Sequence, residues 1–494
     1  MVSVYTDTPS FFNDICEEIR LFLPEEKHIE QLSAPKNTGR GVVLHHFWEK
    51  EGAEWRNRAE YYVDGILAAH VSERHAPTEE FGRERNPKEA PLLVKRMKKH
   101  SVKRIVYETL RQYYQKDMPW GSLTGIRPTK FLRELSAEHG AAEARRIFAA
   151  AYHVSEQKIR LAETICSVQA PFMDGKKENE LDIYIGIPFC ISRCKYCSFI
   201  SRDLQFNQTI KTQYLPRLFW EMDSMRPVIE NYHVRAVYIG GGTPTALSEK
   251  ELEALLLKVT SLFRGNYEFT VEAGRPDTIT REKLAILKEN NVQRISINAQ
   301  TTNDRTLELI GRRHTTQEFE QAFSLAKEFG FQSVNTDMIL GLPGEELTDV
   351  EKTLRDIMWY EPDNVTVHTL AIKQSSSFAE EQRNDLPDAK LVSDMVELSQ
   401  NFLQKKGYLP YYLYRQKYMS GNLENVGFAR PGKECVYNID IMEETVSNLA
   451  FGAGAISKRL FPEKNLIKRA PNVKDLKNYI ERTDEMVLRK KELF

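Results

Sequence analysis

The chain has 494 residues, 41% hydrophobic and 28% charged, with a formal net charge of −1, and that length allows two or three domains with a large buried core. Near-neutrality excludes the global field by which strongly basic proteins hold nucleic acid or anionic membranes, so no nucleic-acid partner is expected. No run of about 18 apolar residues occurs, so no membrane insertion is expected, and the opening Met1-Val-Ser-Val-Tyr-Thr-Asp7 lacks the basic stretch and apolar core of a signal peptide.

Residues 1–175 read as an α+β domain, with no internal repeat and no low-complexity segment anywhere in the chain. Val42 to Phe47 and Tyr61 to His70 have the enrichment of paired strands. Residues 71–90 are polar, hold Pro77 and Pro87, and read as a loop. From Leu92 to Lys116 charged and apolar residues alternate with helical spacing. Pro119-Trp-Gly-Ser122 breaks that pattern, and it returns over 128–170. Met173 to Glu180, polar and holding a glycine, reads as a linker.

Beyond 180 the rhythm changes. Apolar runs of strand length fall at 182–188, 235–239, 267–272, 293–298, 332–339 and 364–370. Helix-period stretches lie between them at 209–231, 248–263, 280–290, 303–329 and 346–359. Strands alternating with helices predict βα units and a parallel sheet. The chemically distinctive residues stand at the C-terminal ends of these strands, the catalytic face of a barrel-like sheet. The predicted fold class is therefore α/β, an open partial (β/α)6 barrel over 181–375. An accessory region of helices and short strands follows over 376–494.

Cys190-Ile-Ser-Arg-Cys194-Lys-Tyr-Cys197 follows the first of these strands. Six cysteines, half of them here, are too sparse and too clustered for a disulfide framework and fit a reducing, cytoplasmic compartment. Cysteine thiolates hold iron–sulfur clusters, and a set of three leaves one iron of a cubane open to another ligand. Cys435 lies far away in a polar stretch, and Cys166 falls on an apolar helix face with the character of core. Zinc is the alternative reading of three close cysteines. Its fourth ligand would be a histidine, and the next one downstream is His233, in a helix tail.

Other strand ends suit a bound cofactor. Gly240-Gly241-Gly242-Thr243-Pro244 follows the second strand. Glycines let backbone approach a ligand closely, although a tight turn also needs them. Glu272 ends the third strand, Gln300 the fourth and Asp337 the fifth. Arg312, in Gly311-Arg-Arg-His314, has the fork to grip a carboxylate at two points.

Tyr184-Ile-Gly-Ile-Pro-Phe-Cys190, with the two cysteines that follow and Tyr196 between them, resembles the signature of radical S-adenosylmethionine (SAM) enzymes. The resemblance implies a 4Fe–4S cluster held by Cys190, Cys194 and Cys197, with SAM chelating the fourth iron. An electron from the cluster then cleaves the sulfonium to a 5′-deoxyadenosyl radical. Further segments follow in order: Gly240-Gly-Gly-Thr-Pro-Thr245, Val271-Glu-Ala273, Asn298-Ala-Gln300, Asp337-Met-Ile-Leu-Gly-Leu-Pro-Gly344 and Gly452-Ala-Gly-Ala-Ile-Ser457. Together they make residues 181–460 resemble the oxygen-independent coproporphyrinogen III dehydrogenase group. Trp120-Gly-Ser-Leu-Thr-Gly-Ile-Arg-Pro-Thr129 and Gly421-Asn-Leu-Glu-Asn-Val-Gly427 are similar to its HemZ-type branch.

By position, the resemblance implies that Tyr184, Gly241, Glu272 and Ile456 contact the cluster-bound SAM. Tyr196, Gly242, Thr243, Gln300, Arg312, Asp337 and Ala371 would contact a second SAM, which lies beside the first in the better-known branch. The implied reaction is oxidative decarboxylation of two propionates of coproporphyrinogen III to vinyls, giving protoporphyrinogen IX in heme biosynthesis. Its electrons would come from a donor such as flavodoxin or ferredoxin. Two departures keep alternatives open. Phe199 stands where the better-known dehydrogenase has a further cysteine, as it does in HemW-type heme chaperones, and Gly186 replaces a histidine. The alternatives are a heme-binding chaperone on the same scaffold, or a radical SAM enzyme acting on another tetrapyrrole.

Some features have plainer readings. Lys95 to Arg104 reads as a solvated helix face, and His45-His46 as structural strand residues. Tyr408-Leu-Pro-Tyr-Tyr-Leu-Tyr414 reads as core or as the wall of a tetrapyrrole pocket, since aromatic faces pack on flat rings. Arg202, Arg275, Lys373, Arg415 and Arg430 are the candidate cations for a substrate rich in carboxylates.

Overall fold

The computed structural model describes the chain except residues 1, 27, 37–39, 53, 76–89, 126, 175–178, 198–201, 205–206, 372–385, 417–419 and 465, and for 90–93 it describes the backbone alone. Phe199 and Lys373 therefore lie outside the described residues, as do much of the predicted 71–90 loop and the centre of the 173–180 linker. Two compact units are present, Met1–Leu161 and Ala162–Phe494.

In the first unit β1 (Val2–Thr6), β2 (Ile29–Leu32), β3 (Val42–Glu51), β4 (Glu54–Val63) and β5 (Ile66–His75) form a sheet in the order β2-β1-β3-β4-β5. The run read as one strand from Tyr61 to His70 is thus two. Asp64 and Gly65 take φ of 49° and 79° and turn the chain between β4 and β5, the left-handed pair that a two-residue hairpin requires. In helix Phe12–Phe22, Ile15, Ile19 and Phe22 recur at helical spacing and bury against the core that holds Val4, Leu44, Tyr61 and Val106. Helix Ala90–Tyr114 carries the basic stretch. Its Arg96, Lys99, Lys103 and Arg104 pair with Glu134, Asp14, Glu17 and Glu73 of the same unit, so those charges are neutralised locally. His46 is buried between Thr6 and Asn57 at 3.0 and 2.9 Å, and burial pushes its imidazole down to about 4. It is a structural, uncharged residue.

The second unit opens with β6 (Glu180–Ile187), followed by the short pair β7 (Phe189–Cys190) and β8 (Arg202–Asp203). Next come β9 (His233–Gly241), β10 (Glu268–Glu272), β11 (Arg294–Ser296), β12 (Ser333–Leu340) and β13 (Asn364–Thr369). Each pairs in parallel with the one before it, starting from β6, and helices fill the crossovers. This is the six-stranded βα arc that the sequence predicts. One predicted helix divides at Met225, into Gln208–Ser224 and Arg226–Ile229. The helix expected over 303–329 is also two, Asp304–Leu309 and Thr316–Glu328. Gly311, at φ 74°, makes that break, and Thr315 starts the second helix with a capping box to Glu318.

The chain beyond 385 extends both edges of the arc. β14 (Leu409–Tyr414) and β15 (Asn425–Ala429) add antiparallel beyond β13. β16 (Ser447–Phe451) adds in parallel beside β6, then β17 (Ile456–Phe461) and β18 (Leu466–Pro471) add antiparallel. Among the described residues, eleven strands form this open sheet, from β14 at one edge to β18 at the other. No helix among the described residues is long and apolar enough to cross a membrane.

Candidate active site at the C-terminal ends of the strands

Alternation along a strand sends successive side chains to opposite faces. Val237, Ile239, Phe269, Val271 and Ile295 bury one face. The other carries Tyr184, Tyr238, Glu272, Ser296, Asn335, Asp337, Thr366 and His368, joined from strand to strand. Tyr238 donates its hydroxyl to Glu272 at 2.6 Å. The Asn335 amide donates to Ser296 at 3.2 Å and to Asp337 at 2.8 Å, and the Thr366 hydroxyl donates to Asn335 at 3.3 Å.

At the C-terminal end of this face β6 runs through Pro188 into the cysteine loop, which is held from three sides. Gly242 N donates to Ile187 O at 2.8 Å and Thr243 N to Phe189 O at 2.7 Å. A Cβ on Gly242 would stand 2.5 Å from the Phe189 oxygen, and one on Gly241 (φ 116°) 3.0 Å from Ile187, so only glycine lets these segments meet. The Thr243 hydroxyl lies 3.5 Å from Cys190 Sγ. On the second side, Arg275, 3% exposed, donates from Nη1 to Ser192 O (3.1 Å) and Oγ (2.8 Å). Its Nε and Nη2 fork onto Asp277 at 3.0 and 2.7 Å. On the third, Lys195 N donates to Ile310 O at 3.0 Å. Arg312 donates from Nε to the Tyr196 hydroxyl and from Nη1 to Gly274 O, both at 3.3 Å. Tyr196 packs against Leu307, Ile310 and Ile339.

Cys190, Cys194 and Cys197 form no disulfide among the described residues. Burial pushes Cys190 up to about 11, and the charges of Cys194 and Cys197 push the same way. Three adjoining thiolates in such a place call for a cationic cluster to hold them. Among the described residues no three His, Cys, Asp or Glu side chains draw close enough to hold a single metal ion. A cubane instead spreads its ligands over its corners. Cys435 is no fourth ligand. It is buried at the head of helix Val436–Glu443 and donates its thiol to Glu268 Oε1 at 3.2 Å. Glu268 begins β10 and Glu272 ends it, which puts Cys435 about 13 Å down the strand from the cysteine-loop end.

The structure places the remaining predicted residues as follows. Tyr184 stacks on Tyr238, centroids 6.4 Å apart. Glu272 accepts from Tyr238 and from Gly241 N (3.2 Å), and burial pushes its carboxyl up to about 7. Gln300 holds φ 65°, a conformation that costs a non-glycine residue about 1–3 kcal/mol and clusters at functional sites. Its backbone pairs with Asp337 O and Ile339 N at 2.8 and 2.9 Å, and its Oε1 is buried with no partner among the described residues. Burial alone would raise Asp337, but His368, at 3.6 Å, with Asn335 and Thr366, holds it below the usual carboxylate range. Ala371 lies two residues past the end of β13 at Thr369. Ile456 opens β17 opposite Pro471 and is 43% exposed.

Two parts of the site escaped the sequence reading. Arg275, a candidate cation for a carboxylate-rich substrate, is committed to Ser192 and Asp277. Glu221 is the centre of a buried knot that accepts from Gly452 N (2.9 Å), Asn472 (2.8 Å) and Tyr479 (2.6 Å) and pairs with fully buried Lys490. Tyr214 extends it, donating to Gly186 O at 2.7 Å and accepting from Ala453 N at 3.1 Å. The Gly452 turn is thereby pinned against β6. No local pattern announces such contacts. Of the other candidate cations, Arg202 faces Asp475 at 3.8 Å, Arg415 donates to Asn422 O at 2.8 Å and Arg430 lies over Tyr408. A cavity of about 640 Å³ opens at the opposite end of the sheet, by Arg235, Glu268, Arg294 and Glu434, away from the cysteine loop.

Three clustered thiols, a glycine cradle against the loop and an unpartnered buried amide oxygen fit an iron–sulfur cluster with a polar organic ligand. The comparisons agree. The radical SAM superfamily model matches residues 184–357. The oxygen-independent coproporphyrinogen-III oxidase-like protein HemZ of Bacillus subtilis is 36% identical over 441 residues, covering 86% of this chain and 86% of HemZ. The heme chaperone HemW of the same species is 32% identical over 278 residues, covering 55% of this chain and 69% of its own. Among solved structures, coproporphyrinogen III oxidase HemN of Escherichia coli, a radical SAM enzyme, matches with a TM-score of 0.52 at 26% identity, covering 65% of this chain and 73% of HemN. Fold and site thus define a radical SAM protein, whose cofactors are a 4Fe–4S cluster and SAM. The chain belongs to the family of HemZ, within the coproporphyrinogen-oxidase-like branch of that superfamily.

Proposed function

We propose that the chain oxidatively decarboxylates two propionates of coproporphyrinogen III to vinyls, giving protoporphyrinogen IX in oxygen-independent heme synthesis in the cytoplasm. Electrons would come from a flavodoxin- or ferredoxin-type donor. In this reading Cys190, Cys194 and Cys197 hold three irons, and Tyr184, Gly241, Glu272 and Ile456 border the SAM on the fourth. Bound there, the cofactors supply a carbon radical able to take a hydrogen atom from a C–H bond, and the protein supplies position and a dry enclosure.

The observation that carries the reading is the second set of polar groups beside the loop. The unpartnered Oε1 of Gln300, the guanidinium of Arg312 on Tyr196 and the carboxylate of Asp337 suit a ligand bearing both carboxylate and ammonium or hydroxyl groups. Arg312 offers a two-pronged grip on a carboxylate, and Asp337, kept ionised by His368, accepts from a donor. With Gly242, Thr243, Tyr196 and Ala371 these form the second SAM site that the dehydrogenase resemblance implies.

The test is an anaerobic assay of the reconstituted protein with coproporphyrinogen III, SAM, reductant and an electron acceptor. Carbon dioxide, methionine, 5′-deoxyadenosine and a product of protoporphyrinogen mass are expected. SAM cleavage without that product would overturn the proposal, and Cys194→Ala should abolish cluster assembly. The 32% identity to a heme chaperone supports a second reading, a heme carrier. Stoichiometric heme binding with no turnover of coproporphyrinogen would favour it.

A further inference from the structure

Below the cysteine loop the polar face of the sheet carries phenols and one thiol in contact. Tyr184, Tyr238 and Tyr437 stack nearly parallel, with centroids 6.4 Å apart for Tyr184–Tyr238, 4.6 Å for Tyr238–Tyr437 and 6.4 Å for Tyr184–Tyr437. Cys435 belongs to the same buried cluster and lines one small internal cavity with Tyr238. Two members hand their hydrogen to a carboxylate: Tyr238 to Glu272 at 2.6 Å, and Cys435 to Glu268 at 3.2 Å. Packing alone would be served by phenylalanine; Glu268 also caps helix Val436–Glu443 by accepting from Val436 N and Tyr437 N at 3.0 and 3.1 Å, a role that needs no thiol beside it. A phenol and a thiol each set against a carboxyl group, one able to give a proton and the other to take one, is instead the arrangement that lets a proton move as an electron does. The lower carboxylate, Glu268, also lines the cavity of about 640 Å³ at the far end of the sheet.

We propose that Tyr238, Tyr437 and Cys435 form a quenching chain that carries an oxidising equivalent from the radical site to that far cavity, where a small thiol discharges it. A carbon radical that meets no substrate takes the phenolic hydrogen atom of Tyr238, so a C–H bond forms and an O–H bond breaks. An electron then passes from Cys435 through the Tyr437 ring to the Tyr238 phenoxyl. The thiol proton goes to Glu268, and Glu272, which enters the cycle as the neutral acid, gives its proton to Tyr238. A small thiol in the cavity reduces the thiyl radical as Glu268 gives its proton back to Cys435. The thiol's own proton is released to solvent, Glu272 takes one back from solvent, and two of the resulting thiyl radicals couple to a disulfide. The chain protects the protein from its own radical when substrate is scarce. It rests on the radical chemistry of the family and not on the tetrapyrrole.

The test uses the reconstituted holoenzyme with reduced cluster and SAM, without tetrapyrrole, freeze-quenched for electron paramagnetic resonance. The 5′-deoxyadenosine formed is measured in the same samples. Cys435→Ser should accumulate a tyrosyl-type radical several-fold above wild type per 5′-deoxyadenosine. Ring-deuterated tyrosine should narrow that signal, and adding Tyr238→Phe should remove it. Equal radical in Cys435→Ser and wild type at equal SAM cleavage would overturn the proposal, as would a signal indifferent to Tyr238→Phe. An unmutated arm guards against misfolding: in wild type, withholding dithiothreitol should raise the same signal and adding it should lower the signal. No response to the thiol would overturn the proposed outlet. Absence of 5′-deoxyadenosine from wild type would overturn the radical chemistry along with the chain.

Discussion

Arg275 grips Ser192 by both its carbonyl and its hydroxyl, at 3.1 and 2.8 Å, so the segment that follows β10 holds the middle of the cysteine loop. Arg275→Ala should release that loop and leave Asp277 without its fork. Hydrogen bonds to a charged group are worth about 1.5–3 kcal/mol each. Lysine lacks the planar fork, so Arg275→Lys should rescue little. Iron and acid-labile sulfide after anaerobic reconstitution should fall well below wild type in both variants. Full loading would show that the grip is dispensable.

Gly240 faces Glu272 so closely that an added Cβ would lie 2.8 Å from its Cδ. Gly240→Ala should push the carboxylate off Tyr238 and Gly241 N at the cost of about 1–3 kcal/mol typical of overpacking. Cluster loading should survive, since no cysteine contact is touched, whereas SAM binding should weaken. The change in the reduced cluster's paramagnetic signal on SAM titration reads the difference.

Glu272 also sets a pH dependence. Its carboxyl is raised from 4.5 to about 7, by burial first and then by the Asp337 charge against the bonds from Tyr238 and Gly241. The folded state therefore binds a proton that the unfolded state has released above pH 4.5. This contribution is fully present below pH 4.5 and is lost as pH rises through about 7. Glu272→Gln removes the titration, so in cluster-free protein its stability relative to wild type should climb across that window. Denaturant midpoints at several pH values test it, and a flat difference would refute the assignment.

The Glu221–Lys490 pair is wholly buried. Removing one partner of such a pair strands the other charge and costs about 3–5 kcal/mol, whereas replacing both with apolar groups of similar size is far milder. Glu221→Leu and Lys490→Met should each lower the urea midpoint strongly, and the double variant should recover the part due to the stranded charge while the loss of Glu221 as acceptor for Gly452 N, Asn472 and Tyr479 remains. Additive losses would mean that the two residues act separately.

The six parallel strands, β6 and β9 to β13, were legible because each carries a short apolar run and helix-period stretches lie between them. The cysteine spacing marked the cluster ligands, and Glu272 stood out by ending β10, whereas Asp337, expected at a strand end, lies inside β12, and Gln300, also expected at one, lies four residues past β11. The misses have physical causes. Asp64-Gly65 held a hairpin signal inside what looked like one continuous strand. Gly311 breaks a helix because the segment around Ile310 must meet Lys195, and helical periodicity carries no trace of that contact. Cys435 looked polar by its neighbours, yet Glu268 and the tyrosines bury it. Ser192 and Arg275 are 83 residues apart, and Glu221 and Lys490 are 269 apart. Partners so distant leave nothing for a local pattern to register.

The flanking of β6 bears on how the protein is made. Leu181 pairs with Val234 on one side and with Ser447 on the other, and the turn after β16 is pinned through Glu221 to Lys490. A ribosome therefore releases the cysteine loop long before the strand and helix that will steady its base have been translated. Pairings this distant also form slowly. Iron delivery should follow completion of the chain rather than accompany synthesis. A short truncation removing helix Thr483–Leu493 should then yield a protein poor in iron, although every cysteine of the loop is still in place.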